Sequence, residues 1–211
     1  MPKESNTTSQ HRASFEMRCG VIIAIFAALM AITDLFAGKY DADEIIGTNE
    51  KSMAYAWYQS KSIKETLVES EISLLIGLKD AQAIQKEAIN AVDNHLMNLQ
   101  KKSLQYKKEK DEILRGSKTV GKENWTQEVD GQYGQVIGAD EIEVHLGILS
   151  KAGDRFDIAL LLYQICLVLG AVSLVLRRLS IQTFFFRSMV FLGLIGTGIA
   201  LWAYLFIQYS V

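Results

Sequence analysis

Proline is almost missing from this sequence. Pro2 is the single one in 211 residues, so every later segment is free to form uninterrupted helix. Cysteine is scarce as well. Cys19 and Cys166 both fall at or inside apolar runs, which excludes a disulfide framework and leaves them as small apolar residues. Three histidines, His11, His95 and His145, are scattered without clustered carboxylate or thiolate partners, so no metal site is expected even if His95 and His145 face each other across a bundle. The nucleophile-elbow, zincin and Cys-x-x-Cys patterns do not occur. The nearest approach to a phosphate loop, GLIGTG at 193–198, lies inside an apolar run and not between a strand and a helix. No nucleophile–base pair stands out, so neither an enzyme nor a cofactor is expected. A large positive excess is also absent. The net charge of −2 argues against a nucleic-acid binder.

What is present is three long apolar runs. The first, Gly20–Ala37, covers about 27 Å as a helix, enough for a hydrocarbon core. Arg12 and Arg18 give it a positive front. It exceeds a signal-peptide core and no small-residue cleavage site follows, so it reads as a retained anchor. The second run is Phe156–Leu176 and the third Phe184–Ile207. Trp202, Tyr204 and Tyr209 suit an interfacial belt at the far end of the third.

Charge is partitioned around these runs. Residues 39–157 carry a net −5 and the remainder a net +3. The connection RRLSIQT, with Arg187 just beyond it, and the N-terminal flank (Lys3, Arg12 and Arg18 against Glu4 and Glu16) place both segments in the cytoplasm by the positive-inside rule. Residues 39–155 then lie outside. Asp34, Asp157, Lys39 and Arg155 are expected at the outer membrane edge as ion pairs between neighbouring helices, with a proton or ion site as the sharper alternative. Arg187 sits a turn inside the third run and snorkels to the cytoplasmic surface. Gly193 with Thr197, and Gly196 with Ala200, are small-xxx-small pairs that allow close helix packing. Ala24 with Ala28, and Ala27 with Ala31, repeat the spacing.

The intervening stretch reads as helix over 41–114. Ile63, Leu67, Ser70, Leu74 and Leu78 recur at helical steps, as do Ala81, Ile84, Ala88, Val92 and Leu96. The lysine-rich run Lys101–Arg115 reads as a solvated face. Gly116 ends the helix, residues 116–138 with five glycines read as a loop, and helix resumes at Asp140. One straight helix over 41–114 would be about 110 Å long, and the short return segment could cover that only with a stretched loop. The helix is therefore expected to break near Gly77, Lys79 and Asp80 and double back, burying Leu74, Leu75, Ile84, Ile89 and Val92 in a bundle about 50 Å tall. Tyr55, Trp57 and Tyr58 are a candidate partner or lipid contact, with bundle packing the commoner role for such a group.

The expected fold class is all-α: an integral membrane protein with three transmembrane helices and an inserted antiparallel, coiled-coil-like bundle. The segments are a polar tail at 1–18, a first span at 19–38, an outer domain at 39–155 (helices 41–76, 80–114 and 140–155), a second span at 156–177, a loop at 178–183, a third span at 184–207 and an end segment at 208–211.

Three segments carry a resemblance: SMAYAWYQSKSIKETL (Ser52–Leu67), QYKKEKDEI (Gln105–Ile113) and DRFDIALLLYQICLVLGAVSLV (Asp154–Val175). Together they resemble a bacterial membrane-protein family, domain of unknown function 4337, over most of 18–207. The resemblance implies one N-terminal span, a charged helical region and two C-terminal spans; with the positive-inside reading, the expected location is the bacterial inner membrane with 39–155 periplasmic. It brings no activity, cofactor or catalytic residue. Two roles remain. One is a structural or interaction protein whose partners are the bilayer and a second copy or another membrane protein. The other is a transporter or channel subunit with Asp34 and Asp157 near a pathway.

Overall fold

The computed structural model describes residues 3–176 and 178–210, with side chains placed from residue 13 to residue 209. Lys3, Glu4, His11 and Arg12 therefore lie outside the described side chains, and Pro2, Arg177 and Val211 outside the described residues. Helix α1 runs without interruption over Lys3–Asp80, α2 over Ile89–Arg115, α3 over Ser117–Val120, α4 over Ala139–Val175 and α5 over Leu179–Ser210. Two short strands, β1 (Glu128–Val129) and β2 (Gln132–Tyr133), pair antiparallel between α3 and α4. The fold is all-α in its architecture, with three helices long and apolar enough to cross a membrane and a non-membrane insertion between the first and second.

The chain divides into two units. Residues 1–45 with 147–211 form the first, and residues 46–146 the second. In the first unit, α1, α4 and α5 share two buried clusters. Ala37, Tyr40, Leu149, Ala152, Phe156, Ala203 and Ile207 make one, with the rings of Tyr40 and Phe156 stacked at 5.6 Å. Cys19, Phe26, Tyr163, Cys166 and Met189 make the other. The outward residues of these helices are large and apolar, among them Leu35, Leu161, Val168, Leu194 and Leu201. That is the surface expected where lipid and not water is the solvent.

In the second unit, α1 and α2 run antiparallel. Helix α1 runs through Gly77, since one glycine inside a helix costs only about 1 kcal/mol. It continues to Asp80 and ends in a turn at Gln82, whose φ of 53° is left-handed. Ala83 N–H donates to Leu78 O, and Gln82 N–H to Lys79 O, the pair of bonds that closes a Schellman end. Helix α2 starts only at Ile89, after a 3₁₀ turn over Lys86–Ala88, and not at residue 80. Leu74 is exposed, while Leu75, Ile84, Ile89 and Val92 are half-buried. The less exposed face of α1 is made by Ala54, Tyr58, Lys61, Glu65, Val68, Ile72 and Leu75, the buried residues of α2 include Leu96, Leu99, Ser103, Glu109 and Ile113, and the pairs Lys61–Glu109 and Glu65–Lys107 join the two helices.

The stretch 116–138 is more than a loop. It holds α3, a 3₁₀ turn and the β1–β2 hairpin. The hairpin's turn residues, Asp130 (φ 52°) and Gly131 (φ 79°), are both left-handed, as a two-residue type I′ turn requires. At its root Ser117 N–H donates to Val136 O, and the Ser117 hydroxyl accepts from Val136 N–H.

Candidate functional site

The charges at the membrane edge do not form the expected ion pairs. Asp34 and Asp157 are exposed, and neither enters an ion pair among the described residues. Arg155 takes a different partner. Its guanidinium lies 4.0 Å from the ring centre of Trp202 and 4.1 Å from that of Phe206, one helical turn apart on α5. A planar, weakly hydrated cation against two aromatic faces is held by their quadrupoles, while its Nη1 is buried without a hydrogen-bond partner. Trp202 is thereby an intramolecular contact. The i, i+4 spacing of Trp202 and Phe206 is visible in the sequence, but nothing in it points to Arg155. Lys39 lies over its neighbour Tyr40 at 5.8 Å, and Arg187 is exposed on α5.

The small residues of α5 lie against its neighbours. A Cβ added at Gly193 would come within 2.4 Å of the Phe26 ring of α1. Gly196 faces Ala159 and Tyr163 of α4. The Thr197 hydroxyl accepts from Tyr163 Oη at 2.9 Å and donates to Gly193 O. Ala200 borders a cavity of about 250 Å³ lined by Leu29, Ile32, Thr33, Phe156, Tyr163 and Leu201, among others. The cavity is almost wholly apolar, and neither Asp34 nor Asp157 lines it. Three of the hydroxyls that border it are hydrogen-bonded: Thr33 to Leu29 O, Tyr163 to Thr197, and Thr197 to Gly193 O.

These contacts carry a contrast. Gly193→Val is expected to destabilise the three-helix core by about 1–3 kcal/mol, because Phe26 is buried and has little room to move. Gly198→Val, where nothing lies within 4 Å, should be close to neutral. Thermal stability of the two variants in the same detergent reads the difference.

The second unit holds most of the charged chemistry. The lysine-rich run read as a solvated face supplies half of an interhelical ladder. Lys61 Nζ sits 2.6 Å from Glu109 Oε2, Lys110 pairs with Glu65, and Lys107 reaches Glu69 at 3.1 Å. Lys79 pairs with Asp93 at 2.6 Å and His95 with Glu71 at 3.0 Å. Glu65 and Glu109 are almost fully buried between the helices. A buried charge is tolerated only when paired, so the ladder fixes register and orientation more than it adds stability. His95 is spent on Glu71, and His145 is exposed on α4. Among the described residues, no group of three or more potential metal ligands occurs. Tyr58 lies under Lys110 at 5.4 Å and Tyr55 near Lys51 at 6.0 Å, while Trp57 is half-buried.

Two ladder groups have displaced proton affinities. The Glu69 carboxyl is held below its ordinary range, first by its hydrogen bond with Lys107 and then by that ammonium's charge. The Lys110 ammonium is raised above its ordinary value, first by its hydrogen bond with Glu65, against a smaller opposing effect of burial. A lowered carboxylate contributes stability above its unfolded pKa and loses it as pH falls through the folded one. A raised ammonium contributes below its unfolded pKa and loses it as pH rises through the folded one. The helical hairpin should therefore show a stability plateau between about pH 5 and pH 10, falling on both sides. Thermal unfolding followed by circular dichroism across that range tests it.

Sequence reasoning missed Glu112. This carboxylate is fully buried on α2 and has four donors around it: the Ser117 hydroxyl at 2.8 Å, Thr126 N–H at 2.7 Å, the Thr126 hydroxyl at 2.9 Å and Gln127 N–H at 2.9 Å. It gathers the chain between α2 and α4 onto the end of α2. That is a structural role.

Comparison with known proteins gives one match. The family described as "Domain of unknown function (DUF4337)" matches residues 15–206. No curated protein matches the chain, and no solved structure does.

Proposed function

We propose that this chain, which belongs to the DUF4337 family of bacterial membrane proteins, is a membrane-anchored scaffold whose helical hairpin is an interaction arm without catalysis. The observation that carries the reading is where the polar groups go. Lys61, Glu65, Glu69, Lys107, Glu109 and Lys110 are spent on each other across α1 and α2; Glu69 and Lys107 also border an open groove with Ser73, Gln100 and Ser103, where they hold each other at 3.1 Å. Glu112 is likewise spent on the backbone and hydroxyls of the following segment. A rigid arm of fixed register, tied to a bilayer by three spans, is suited to holding something in place.

The positive flanks set the topology of this reading: N-terminus and the α4–α5 connection cytoplasmic, residues 39–155 outside. Reporter fusions at residues 125 and 180 should report opposite sides of the membrane. The scaffold role is tested by crosslinking the full-length chain in native membranes. Defined complexes containing the chain are expected, and recovery of isolated monomers alone would refute the role.

A further inference from the structure

Helix α1 carries a second seam that α2 does not cover. On the face opposite Tyr58, Lys61, Glu65, Val68 and Ile72 lie Ala56, Ser60, Ile63, Leu67, Ser70, Leu74 and Gly77, spaced alternately four and three residues apart. That spacing is the heptad repeat of a left-handed coiled coil. All seven are exposed, and the three large ones, Ile63, Leu67 and Leu74, are 62%, 65% and 62% exposed. Exposed Met53 and Ile46 continue the same phase one and two heptads below Ser60, respectively. A polar helix in water has no reason to keep isoleucine and leucine at such positions unless another surface covers them.

We infer that this seam pairs with the same seam of a second copy of the chain, as a parallel, in-register coiled coil. The inference rests on the scaffold reading and supplies its partner. Three observations select a second copy. First, the spans insert every copy the same way round, so two copies present their seams in parallel, the orientation in which each heptad position meets its own equivalent. Second, the flanks are compatible with themselves. In a parallel pair Gln59 faces Lys64, Thr66 faces Glu71 and Ser73 faces Leu78, so no like charges meet. Third, the area suffices. A seam from Ile46 to Leu78 is about 49 Å long and about 10–12 Å wide, covering roughly 1,000–1,200 Å² over both chains, at the threshold for a specific interface. The small residues Ala56, Ser60, Ser70 and Gly77, interleaved with the large ones, allow the backbones to approach closely.

The test uses the full-length chain in bacterial membranes. Leu67→Cys and Leu74→Cys, separately, should form disulfide-linked dimers under mild oxidation at about tenfold or more the yield of Lys101→Cys, which is exposed on α2 away from the seam. Equal yields at all three positions would mean random collision and overturn the inference. The double variant Leu67→Glu/Leu74→Glu replaces exposed side chains only, so its helix content should match the parent while dimer recovered after detergent extraction falls to background. An unchanged dimer fraction would overturn the inference. A photo-crosslinker at Leu67 that captures a different polypeptide and no second copy would also overturn it, while leaving the scaffold role standing. Capture of nothing at all would remove both.

Discussion

Glu112→Ala should unfold the segment between α2 and α4 while leaving α1 and α2 helical, at a cost of about 3–5 kcal/mol to the 46–146 unit. The figure follows from what the substitution strands. Two backbone N–H groups, Thr126 and Gln127, and two hydroxyls, Ser117 and Thr126, donate to the two oxygens of one carboxylate that water does not reach. Alanine removes every acceptor and leaves the donors with none. Glu112→Gln tests the charge. It keeps one oxygen but turns an NH₂ toward donors, so it should recover only part of the loss. Hydrogen exchange over residues 117–137 is the measurement. Fast exchange there with α2 still protected is the expected result, and protection equal to the parent would show that the carboxylate is dispensable.

Gly138→Ala is the second large effect, and it comes from shape. A Cβ at this position would lie 2.2 Å from Gly116 N and 2.3 Å from the Arg115 carbonyl carbon. Those are backbone atoms at the end of α2, so no side-chain rotation relieves the overlap. The start of α4 must move away from the end of α2, which separates Ser117 from Val136 and exposes Ile113 and Ala139, now almost fully buried. A cost of about 3–4 kcal/mol is expected. Gly147→Ala on the same helix, with nothing within 4 Å, should be tolerated or slightly stabilising. Denaturant unfolding of the two variants side by side separates the steric effect from the loss of glycine. Comparable midpoints would mean that the close approach is absent in solution.

The spans were legible because length and composition decide them: some twenty apolar residues have one low-energy environment, and neighbours in the fold barely alter that. The reversal after α1 was legible as geometry: α1 ends at Asp80, one of the three residues expected to mark the break, although the left-handed position fell on Gln82 and not on a glycine. The apolar stripe of Ile63, Leu67 and Leu74 was ambiguous. Periodicity shows that a face is apolar without showing which of two faces the adjacent helix takes. Here α2 takes the face with Lys61 and Glu65, because its own lysines and glutamates pair there. Asp130-Gly131 was a readable hairpin signal hidden among other glycines. Arg155 and Glu112 were not readable. Each depends on residues tens of positions away, and nothing local distinguishes a cation destined for two rings from one destined for a carboxylate.

The first unit is assembled from the two ends of the chain, residues 1–45 and 147–211, with a hundred residues of the other unit between them. During synthesis the earliest span therefore enters the bilayer long before its companions exist. At about 5–20 residues per second, translation of the intervening hundred takes roughly 5–20 s. Throughout that interval Cys19, Phe26, Ala37 and Tyr40 can touch only acyl chains or the insertion machinery. The middle of the polypeptide, whose partners all lie within itself, can meanwhile reach its final form. Biogenesis is thus ordered by connectivity: the inserted portion matures first, and the lipid-embedded trio closes last, when α5 emerges.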